Sequence, residues 1–446
     1  MITVILPVHN SEKYLRECIE SLLNQTLHDL EFICIDGGST DASVSILENY
    51  ALMDNRFRLL FDRNTSYGHK INLGIEQAKG KYIAILETDD FIENNTYEML
   101  YTVAEEYEVD YISSNYYSFF DMNGSRYRQK TVKIMSEDLC NKIICKSENV
   151  KLIEKSGIAI WTGLYRKSFL IDHQIRLNES KGAAFQDAGF SFLISIMAKR
   201  SYHLKDAFYN YRIDNANSSV KNQSISRIIM DEYKFIHDEL LNRGVTDNEI
   251  WYEFYVRKYR GYLWNLERLN SDNQVLFYDL LRQEYQEDRL SGYLNPEELP
   301  YDINTALNKI DDRIEMIDLL RSISKSPINY FQELMSFMKQ RNPIVIFGGG
   351  KYASKLLNLI PDEIKHNIEC ICDNDEAKCG SVYLGYRVIS PVDACQIDHS
   401  SFVIANRSYF DDMQKQLLRL GINNDNIMIF HDDQFIEKLP VSVSGR

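Results

Sequence analysis

The sequence predicts an α/β fold in which two sheet-forming regions flank a helical one. Apolar strand-like runs alternate with amphipathic helix-like runs over the first 100 residues, and this rhythm restarts at Pro343. From about Ser224 to Gln340 the pattern is helical, rich in aromatic residues and free of strand-like runs. A chain of 446 residues has room for about three domains of roughly 150 residues each. We therefore predict domains over residues 1–223, 224–340 and 341–446.

Four strands and three helices account for the first region. The strands are Thr3 to Pro7, Leu30 to Ile35, Phe57 to Phe61 and Lys81 to Leu86. The helices are Glu12 to Leu23, Ala42 to Met53 and Gly68 to Ala78. This alternation predicts a mostly parallel sheet with helices on both faces. Polar motifs follow three of the four strands, and ligands of such sheets bind beyond the carboxyl ends of the strands.

The last region begins with a strand at Ile344 to Phe347 and a turn of the form G-x-G-x-x-A, which contains Gly348 and Gly350. A further strand ends at Asp373, which predicts a compact domain of Rossmann type. Backbone NH groups at the start of the following helix would hold a phosphate, and Asp373 would bond a ribose. Glycines also simply permit a tight turn, so an empty scaffold used for dimerisation stays an alternative.

Charge and apolar patterning restrict the partners. A net charge of −15 and a pI near 5.2 argue against a nucleic-acid partner, which would require clustered Lys and Arg. The N-terminus has no basic leader, and no apolar run approaches the roughly 20 residues that span a bilayer. We therefore expect a cytoplasmic protein, and leave open a position at the inner face of the membrane, peripheral membrane contact and a homo-oligomer.

The eight cysteines do not complete a metal site. Cys370 and Cys372 alternate in a strand-like run, and no Cys-x-x-Cys or His pair joins them and Cys379 in a tetrahedral set. We interpret them as reduced structural thiols.

The strongest chemical motif is Glu87-Thr88-Asp89-Asp90 at the end of an apolar strand. Carboxylates two residues apart at a strand end can hold a divalent cation, which would neutralise a diphosphate. The alternative is a helix N-cap formed by Asp90 before Phe91. Taken alone, the motif does not decide between these two interpretations.

Three further motifs accompany it in order: Pro7-Val8-His9-Asn10-Ser11-Glu12, Asp36-Gly37-Gly38-Ser39-Thr40-Asp41 and, later, Ala184-Phe185-Gln186-Asp187-Ala188-Gly189-Phe190, followed by Tyr211-Arg212-Ile213-Asp214. Together they resemble the family 2 glycosyltransferases of GT-A fold over roughly the first 220 residues. The C-terminal region resembles nucleotide-sugar-binding modules of some sugar acyltransferases.

The resemblance implies a role for each matching residue. Asp187 corresponds to the general base, Asp89 to a metal ligand and Asp214 to a third-ligand position that often holds His. Trp161 and Gln186 lie in segments that correspond to the acceptor side. Asp36 would bind the base, usually uracil, and Glu87 would lie near the ribose. The donor-binding set comprises Pro7, Val8, Asn10, Glu12, Asp36, Lys70, Glu87 and Thr88.

Two of these residues have a structural alternative. Lys70 would contact the diphosphate, but a lysine on a helix is as often solvated. Trp161 would stack on a sugar, but a buried core tryptophan is the more frequent case.

Several positions depart from the family pattern. His9 replaces the usual Tyr, Gly37 replaces a second Asp, and Glu87 replaces Asp. Asp214 stands where many relatives carry His, so either a carboxylate supplies the third ligand or the metal site is incomplete. Asp also suits a turn before Asn215.

The resemblance implies an inverting glycosyltransferase of hexosyltransferase type that depends on Mn²⁺ or Mg²⁺. It would transfer a sugar from a nucleotide sugar, usually a UDP-sugar in this family, to a glycan or lipid-linked acceptor of a bacterial surface polysaccharide or teichoic acid. One alternative is a non-catalytic nucleotide-sugar-binding scaffold. Another is a bifunctional enzyme with NAD chemistry in its C-terminal region, against which the absence of a Tyr-x-x-x-Lys pair argues.

Overall fold

The computed structural model describes residues 1–122, 124–129, 131–145, 159–216, 227–323, 327–406, 409–430 and 436–439. The chain forms two compact units. The first comprises Met1–Ser118 and Thr131–Ser324, and the second comprises Phe119–Lys130 and Lys325–Arg446. The boundary that we predicted at residue 223 lies outside the described residues. The helices up to residue 323 belong to the first unit, and the three-domain division stays a prediction.

The first ten strands are numbered in chain order, and β7 belongs to the second unit. They are β1 (Ile2–Val8), β2 (Leu30–Asp36), β3 (Phe57–Phe61), β4 (Tyr82–Ile85), β5 (Phe91–Ile92), β6 (Tyr111–Met122), β7 (Ser125–Gln129), β8 (Ile143–Cys145), β9 (Gly163–Arg166) and β10 (Arg200–Arg212). The helices of the first unit are α1 (Leu15–Leu23), α2 (Ser43–Met53), α3 (Tyr67–Gln77), α4 (Thr96–Tyr107), α5 (Lys167–Asp172), α6 (Gln186–Met197), α7 (Ile228–Asn242), α8 (Asn248–Arg268), α9 (Ser271–Leu290), α10 (Tyr301–Leu307) and α11 (Arg313–Ile323).

The sheet of the first unit is parallel at one side and mixed at the other. Strands run in the order β4-β1-β2-β3, and all neighbours in this part are parallel. Strand β9 pairs antiparallel with β4 and with the first half of β6, and β10 pairs antiparallel with β5 and β8. The α/β fold class is confirmed. The sequence interpretation had not assigned the strands from β5 to β10.

Helices cover both faces of this sheet. Strands β1 and β2 are buried along their whole length, as expected for parallel strands with covered faces. On one face Ile5 and Ile33 pack in a cluster with Ile71 and Ile75 of α3, and that cluster continues to Trp251 of α8. The aromatic side chains of the helical segment therefore share one hydrophobic core with the sheet.

The second unit contains its own parallel sheet. Its strands are β11 (Ile344–Phe347), β12 (Ile368–Cys372), β13 (Val382–Tyr383), β14 (Tyr386–Ile389), β15 (Ser401–Ile404), β16 (Ile427–Ile429) and β17 (Ile436–Leu439). Its helices are α12 (Pro327–Gln340), α13 (Lys351–Leu359), α14 (Asp362–Lys365), α15 (Pro391–Ala394) and α16 (Phe410–Arg419). The strands in the order β14-β12-β11-β15-β16 are all parallel. Successive strands of the chain are added on one side of β11 and then on the other, as in Rossmann folds. Separately, β17 pairs antiparallel with β7.

Two sequence observations have structural counterparts. Cys370 and Cys372 are buried thiols in β12, so the alternating run is a strand as predicted. None of the helices in the described ranges has the length and apolar character needed to cross a membrane.

Candidate active site

A cleft of about 440 Å³ opens at the carboxyl edge of the parallel strands in the first unit. The structure brings most of the predicted site residues of this unit together around it. Those that line it are Pro7, Asn10, Lys70, Glu87, Thr88, Asp89, Trp161, Gln186 and Asp187. This location agrees with the rule that parallel sheets bind ligands beyond the carboxyl ends of their strands.

Four predicted site residues do not line the cleft: the donor-binding residues Val8, Glu12 and Asp36, and the metal ligand Asp214. The Asp36 carboxylate accepts hydrogen bonds from the backbone NH groups of Gly38 (2.9 Å) and Ser39 (3.1 Å). The Glu12 carboxylate accepts one from the Ala42 NH at 2.8 Å. Both side chains order the loops that follow β1 and β2. Val8 is buried, and its carbonyl accepts a hydrogen bond from the Lys70 ammonium at 3.3 Å.

The two adjacent aspartates after β4 have different environments. Asp89 lines the cleft, and one of its carboxylate oxygens accepts a hydrogen bond from the Asn215 amide at 2.8 Å. Asp90 is buried and accepts hydrogen bonds from the Tyr209 hydroxyl and the Arg212 backbone NH, both at 2.7 Å. Strand β5 begins at residue 91, and no helix starts there. The N-cap interpretation of Asp90 is therefore wrong.

Glu87 forms a hydrogen-bonded pair with Tyr67, whose hydroxyl donates to the carboxylate at 2.5 Å. Burial raises the pKa of Glu87 to about 8, and the negative charges of Asp89 and Asp187 act in the same direction. Lys70 and the Tyr67 hydroxyl oppose this shift. Three carboxyl groups thus lie near one another in the cleft, and the positive charge of Lys70 reduces the repulsion on Glu87.

Lys70 is buried, with 4% of its surface exposed, which excludes the solvated-lysine alternative. Helix α3 packs directly on β1, and a Cβ atom at Gly74 would lie only 2.6 Å from Ile5. Burial lowers the pKa of Lys70, and the negative charges of Glu87, Asp36 and Asp62 offset this only in part. A Cβ atom at Gly37 would lie 2.7 Å from the Lys70 Nζ. Glycine at position 37, where the family pattern has Asp, therefore leaves room for this ammonium group.

Asp187 lies in the first turn of α6, and burial raises its pKa to about 6. Backbone NH groups at the start of the helix and the charge of Arg257 limit that rise. Gln186 precedes it, and its amide donates to the Ser180 and Gly182 carbonyls while accepting from the Ala184 NH at 2.7 Å. Gln186 therefore orders the loop that forms one wall of the cleft.

Trp161 is both a packed residue and a cleft residue. It is partly buried and lies parallel to Tyr211, with ring centroids 5.1 Å apart and an interplanar angle of 2°. The Tyr116 ring contacts it edge-on at 4.7 Å. The two alternatives for Trp161 therefore do not exclude each other, because the ring packs on tyrosines and still lines the cleft.

The oxygen ligands suited to a divalent cation are few. Across the residues that the structure describes, no three His, Cys, Asp or Glu side chains group as metal ligands. The Asp214 carboxylate lies 3.3 Å from the Arg212 guanidinium, and its role as a ligand stays a prediction. Asp89 fits Mn²⁺ or Mg²⁺ nonetheless, because such ions are often held by one or two carboxylates together with substrate phosphates.

In the second unit Asp373 bonds to the glycine-rich turn. Its carboxylate accepts a hydrogen bond from the Gly349 NH at 2.7 Å and contacts the Lys378 ammonium at 3.0 Å. Gly348 has a φ of 113°, a value that favours glycine, and Gly350 precedes α13. Nucleotide binding by Gly348, Gly350 and Asp373 stays a prediction.

Glu232 of α7 supports the helix that carries Asp187. One of its carboxylate oxygens accepts a hydrogen bond from the Gly189 NH and the other accepts one from the Asn178 amide, both at 3.0 Å. A Cβ atom at Gly189 would lie 2.4 Å from this carboxylate, so the close approach depends on glycine. Burial raises the pKa of Glu232 to about 8.

We expect Glu232→Gln to become more stable, relative to the unaltered chain, as pH rises. Because the folded pKa is raised from 4.5 to about 8, the carboxyl group contributes stability fully below pH ~4.5, and this contribution is lost as pH rises through about 8. Gln does not titrate. Melting temperatures measured from pH 5 to 8.5 should therefore converge or cross. Glu297→Gln, which changes an exposed side chain, is the matched control. A difference in melting temperature between Glu232→Gln and the unaltered chain that does not vary with pH would contradict the raised pKa of Glu232.

Comparisons with known proteins agree with the motifs. Residues 3–172 match the model of the family described as glycosyl transferase family 2. The chain is 31% identical over 216 residues to the glycosyltransferase GlyG of Streptococcus pneumoniae, which covers 48% of this chain and 70% of GlyG. The chain belongs to glycosyltransferase family 2. Membership of this family of enzymes confirms the resemblance of the N-terminal region.

Other relatives match over part of their length. The putative glycosyltransferase EpsH of Bacillus subtilis is 33% identical over 217 residues, or 48% of this chain and 60% of EpsH. Residues 340–428 match a family described as C2185-like, N-terminal. The S. aureus protein TarS, solved as residues 1–349 with UDP-GlcNAc, has a TM-score of 0.53 at 20% identity and covers 74% of this chain and 92% of that structure. This likeness concerns the fold.

Several cleft residues of this family 2 chain were not predicted. They are Ser11, Lys13, Tyr14, Tyr67, Ile160, Ala183, Ala184, Phe185, Tyr211, Asn215 and Ala216, together with His9, which we had noted only as a departure. Phe185 and Tyr211 lie inside two of the motifs that carry the family resemblance. Their proximity to Asp187 and Asp214 was the signal that could have added them.

Proposed function

We propose that this chain is an inverting glycosyltransferase that transfers a sugar from a nucleotide sugar to a hydroxyl group of a glycan acceptor. The observation that carries the proposal is the position of Asp187. Its carboxylate has a pKa of about 6 and lines the same cleft as Lys70 and Asp89. A base with a pKa near 6 is ionised at neutral pH and still accepts a proton effectively.

In the proposed reaction the acceptor hydroxyl oxygen attacks the anomeric carbon of the donor sugar. The bond between that carbon and the diphosphate oxygen breaks, the hydroxyl proton passes to Asp187, and a nucleoside diphosphate leaves. The Lys70 ammonium binds the diphosphate and stabilises its developing charge. Asp89 would hold Mn²⁺ or Mg²⁺, which supplies further charge neutralisation at the diphosphate.

The relatives support the proposed donor and acceptor classes. TarS was solved in complex with UDP-GlcNAc, and we propose a UDP-sugar as donor, with Asp36 ordering the loop after β2 rather than lining the cleft. EpsH and GlyG are both bacterial proteins named as glycosyltransferases. We propose a hydroxyl of a bacterial surface polysaccharide, teichoic acid or lipid-linked glycan as the acceptor.

Release of nucleoside diphosphate tests the proposal. The full chain is incubated with UDP-, GDP- and dTDP-sugars in Mn²⁺ or Mg²⁺, with and without a mixture of glycan acceptors. We expect UDP release from at least one UDP-sugar, and a loss of release when the metal is chelated. Failure of every donor to yield a nucleoside diphosphate would leave the scaffold alternative as the better description of this chain.

We expect Asp89→Asn to raise the metal concentration that gives half-maximal activity by roughly tenfold, because an amide oxygen is a weaker ligand than a carboxylate. The activity at saturating metal should fall less. Asp172→Asn, an exposed substitution in the same unit, is the matched control. An unchanged metal dependence in Asp89→Asn would show that the cation is held elsewhere.

A further inference from the structure

Three side chains of the first unit form a surface beside the cleft, which we call the aromatic shelf: Phe185, Trp264 and Arg268. The rings of Phe185 and Trp264 meet edge-to-face with centroids 6.3 Å apart. The Arg268 guanidinium lies 5.2 Å from the Trp264 centroid and 5.8 Å from the Phe185 centroid. Trp264 and Arg268 are one turn apart on α8, so they lie on the same face of that helix.

Trp264 faces outward from a helix that is otherwise well packed. It is 43% exposed, whereas its neighbours Leu263 and Leu266 are buried in the core. The ring is therefore not needed to fill the core. The guanidinium beside it holds the indole in place through a cation–π contact and leaves much of its surface open.

The shelf is continuous with the cleft through Phe185. This residue lines the cleft, ends the loop before α6 and lies two positions before Asp187. Its φ of 66° is in the left-handed region, which is strained for a bulky side chain. Such strain persists where the surroundings demand it, and it is frequent at ligand sites. Here the Phe185 ring lies between the Asp187 side of the cleft and the indole of Trp264.

We propose that the aromatic shelf is an acceptor subsite, on which a sugar ring of the acceptor glycan stacks against Trp264. This inference rests on the proposed function, because Asp187 marks the side at which the attacking hydroxyl enters. An indole offers an apolar surface to the C–H face of a sugar, and the adjacent Arg268 guanidinium holds the indole in its orientation. The subsite would bind a sugar unit next to the one that is glycosylated.

Binding of the full chain to an array of immobilised bacterial-type glycans, with UDP present, tests the shelf. We expect Trp264→Ala to weaken binding to the bound glycans by roughly five- to tenfold, and Trp264→Phe to restore most of it. Tyr301→Ala, which removes a ring that is 87% exposed in the same helical segment, is the matched control. UDP release from donor without acceptor, and the melting temperature, should not change in Trp264→Ala.

Two results would overturn the proposal that the aromatic shelf is an acceptor subsite. One is equal glycan binding by Trp264→Ala and the unaltered chain, and the other is no glycan binding by the unaltered chain. Both are separable from a failure of the proposed function. That failure is an absence of UDP release from every donor, which does not require the shelf. A chain that releases UDP but binds glycans independently of Trp264 would keep the proposed function and lose the subsite.

Discussion

Asp187→Asn is expected to lower kcat by about 10²- to 10⁴-fold, the usual contribution of a general base. The amide cannot accept the proton from the acceptor hydroxyl, but it nearly preserves the shape and volume of the carboxylate. Because Asp187 does not contact the donor diphosphate in the proposed reaction, the Kd for UDP-sugar should change little. Transfer measured with saturating donor and acceptor, alongside a donor titration by calorimetry, separates these two effects.

The pH dependence of the unaltered chain supplies an independent measurement of the same group. The pKa of Asp187 is raised to about 6, so the ionised base is lost as pH falls through that value. We expect kcat/KM to decrease below pH ~6 and this decrease to disappear in the residual activity of Asp187→Asn. Asp172→Asn should reproduce the unaltered profile. A variant with full transfer activity would exclude Asp187 as the base.

Local patterning was sufficient to predict the parallel part of the sheet. Strands β3 and β11 coincide with the predicted Phe57 to Phe61 and Ile344 to Phe347, and β1 and β2 extend the predictions by one or two residues. Strands β1, β2 and β11 are buried along their whole length and therefore appear as continuous apolar runs, whereas β3 is only partly buried. The partly polar strand β10 pairs with segments that are distant in the chain. Such pairing depends on tertiary contacts that sequence periodicity does not contain.

The candidate site likewise has features that the sequence predicted and features that only the structure shows. The motif at the end of β4 was recognisable, and the family resemblance assigned Asp89 to the metal position, but the sequence did not show that Asp90 is buried rather than a helix N-cap. Only Asp89 lines the cleft, whereas Asp90 is buried against Tyr209 and Arg212. The burial of Lys70 was equally inaccessible, because it results from the close packing of α3 on β1.

Net charge gives the burial of Lys70 a functional meaning. The chain carries a net charge of −15, and three of its acidic side chains, Glu87, Asp89 and Asp187, lie together in the cleft. A doubly charged nucleotide sugar would be repelled by such a field. Among the described residues that line the cleft, Lys13 and Lys70 are the lysines, and there is no arginine. Lys70 is thus a buried positive charge that would complement the divalent cation proposed at Asp89.

Lys70→Met is therefore expected to raise the donor KM by roughly 10- to 100-fold, the value of a charge-assisted hydrogen bond to a phosphate. Met keeps an unbranched apolar stem in the buried space but removes the ammonium group. The pKa of Glu87 should rise further, because Lys70 opposes its increase. Steady-state kinetics with varied UDP-sugar at saturating metal measure the effect on the donor.

Lys79→Met removes an exposed lysine just after the same helix and is the matched control, with no expected change in KM. A second substitution tests the spatial relation to position 37. Because a Cβ atom there would lie 2.7 Å from the Lys70 Nζ, Gly37→Ala should displace the ammonium and weaken donor binding in the unaltered background but not in Lys70→Met. Equal effects of Gly37→Ala in both backgrounds would show that this glycine acts on the donor independently of Lys70.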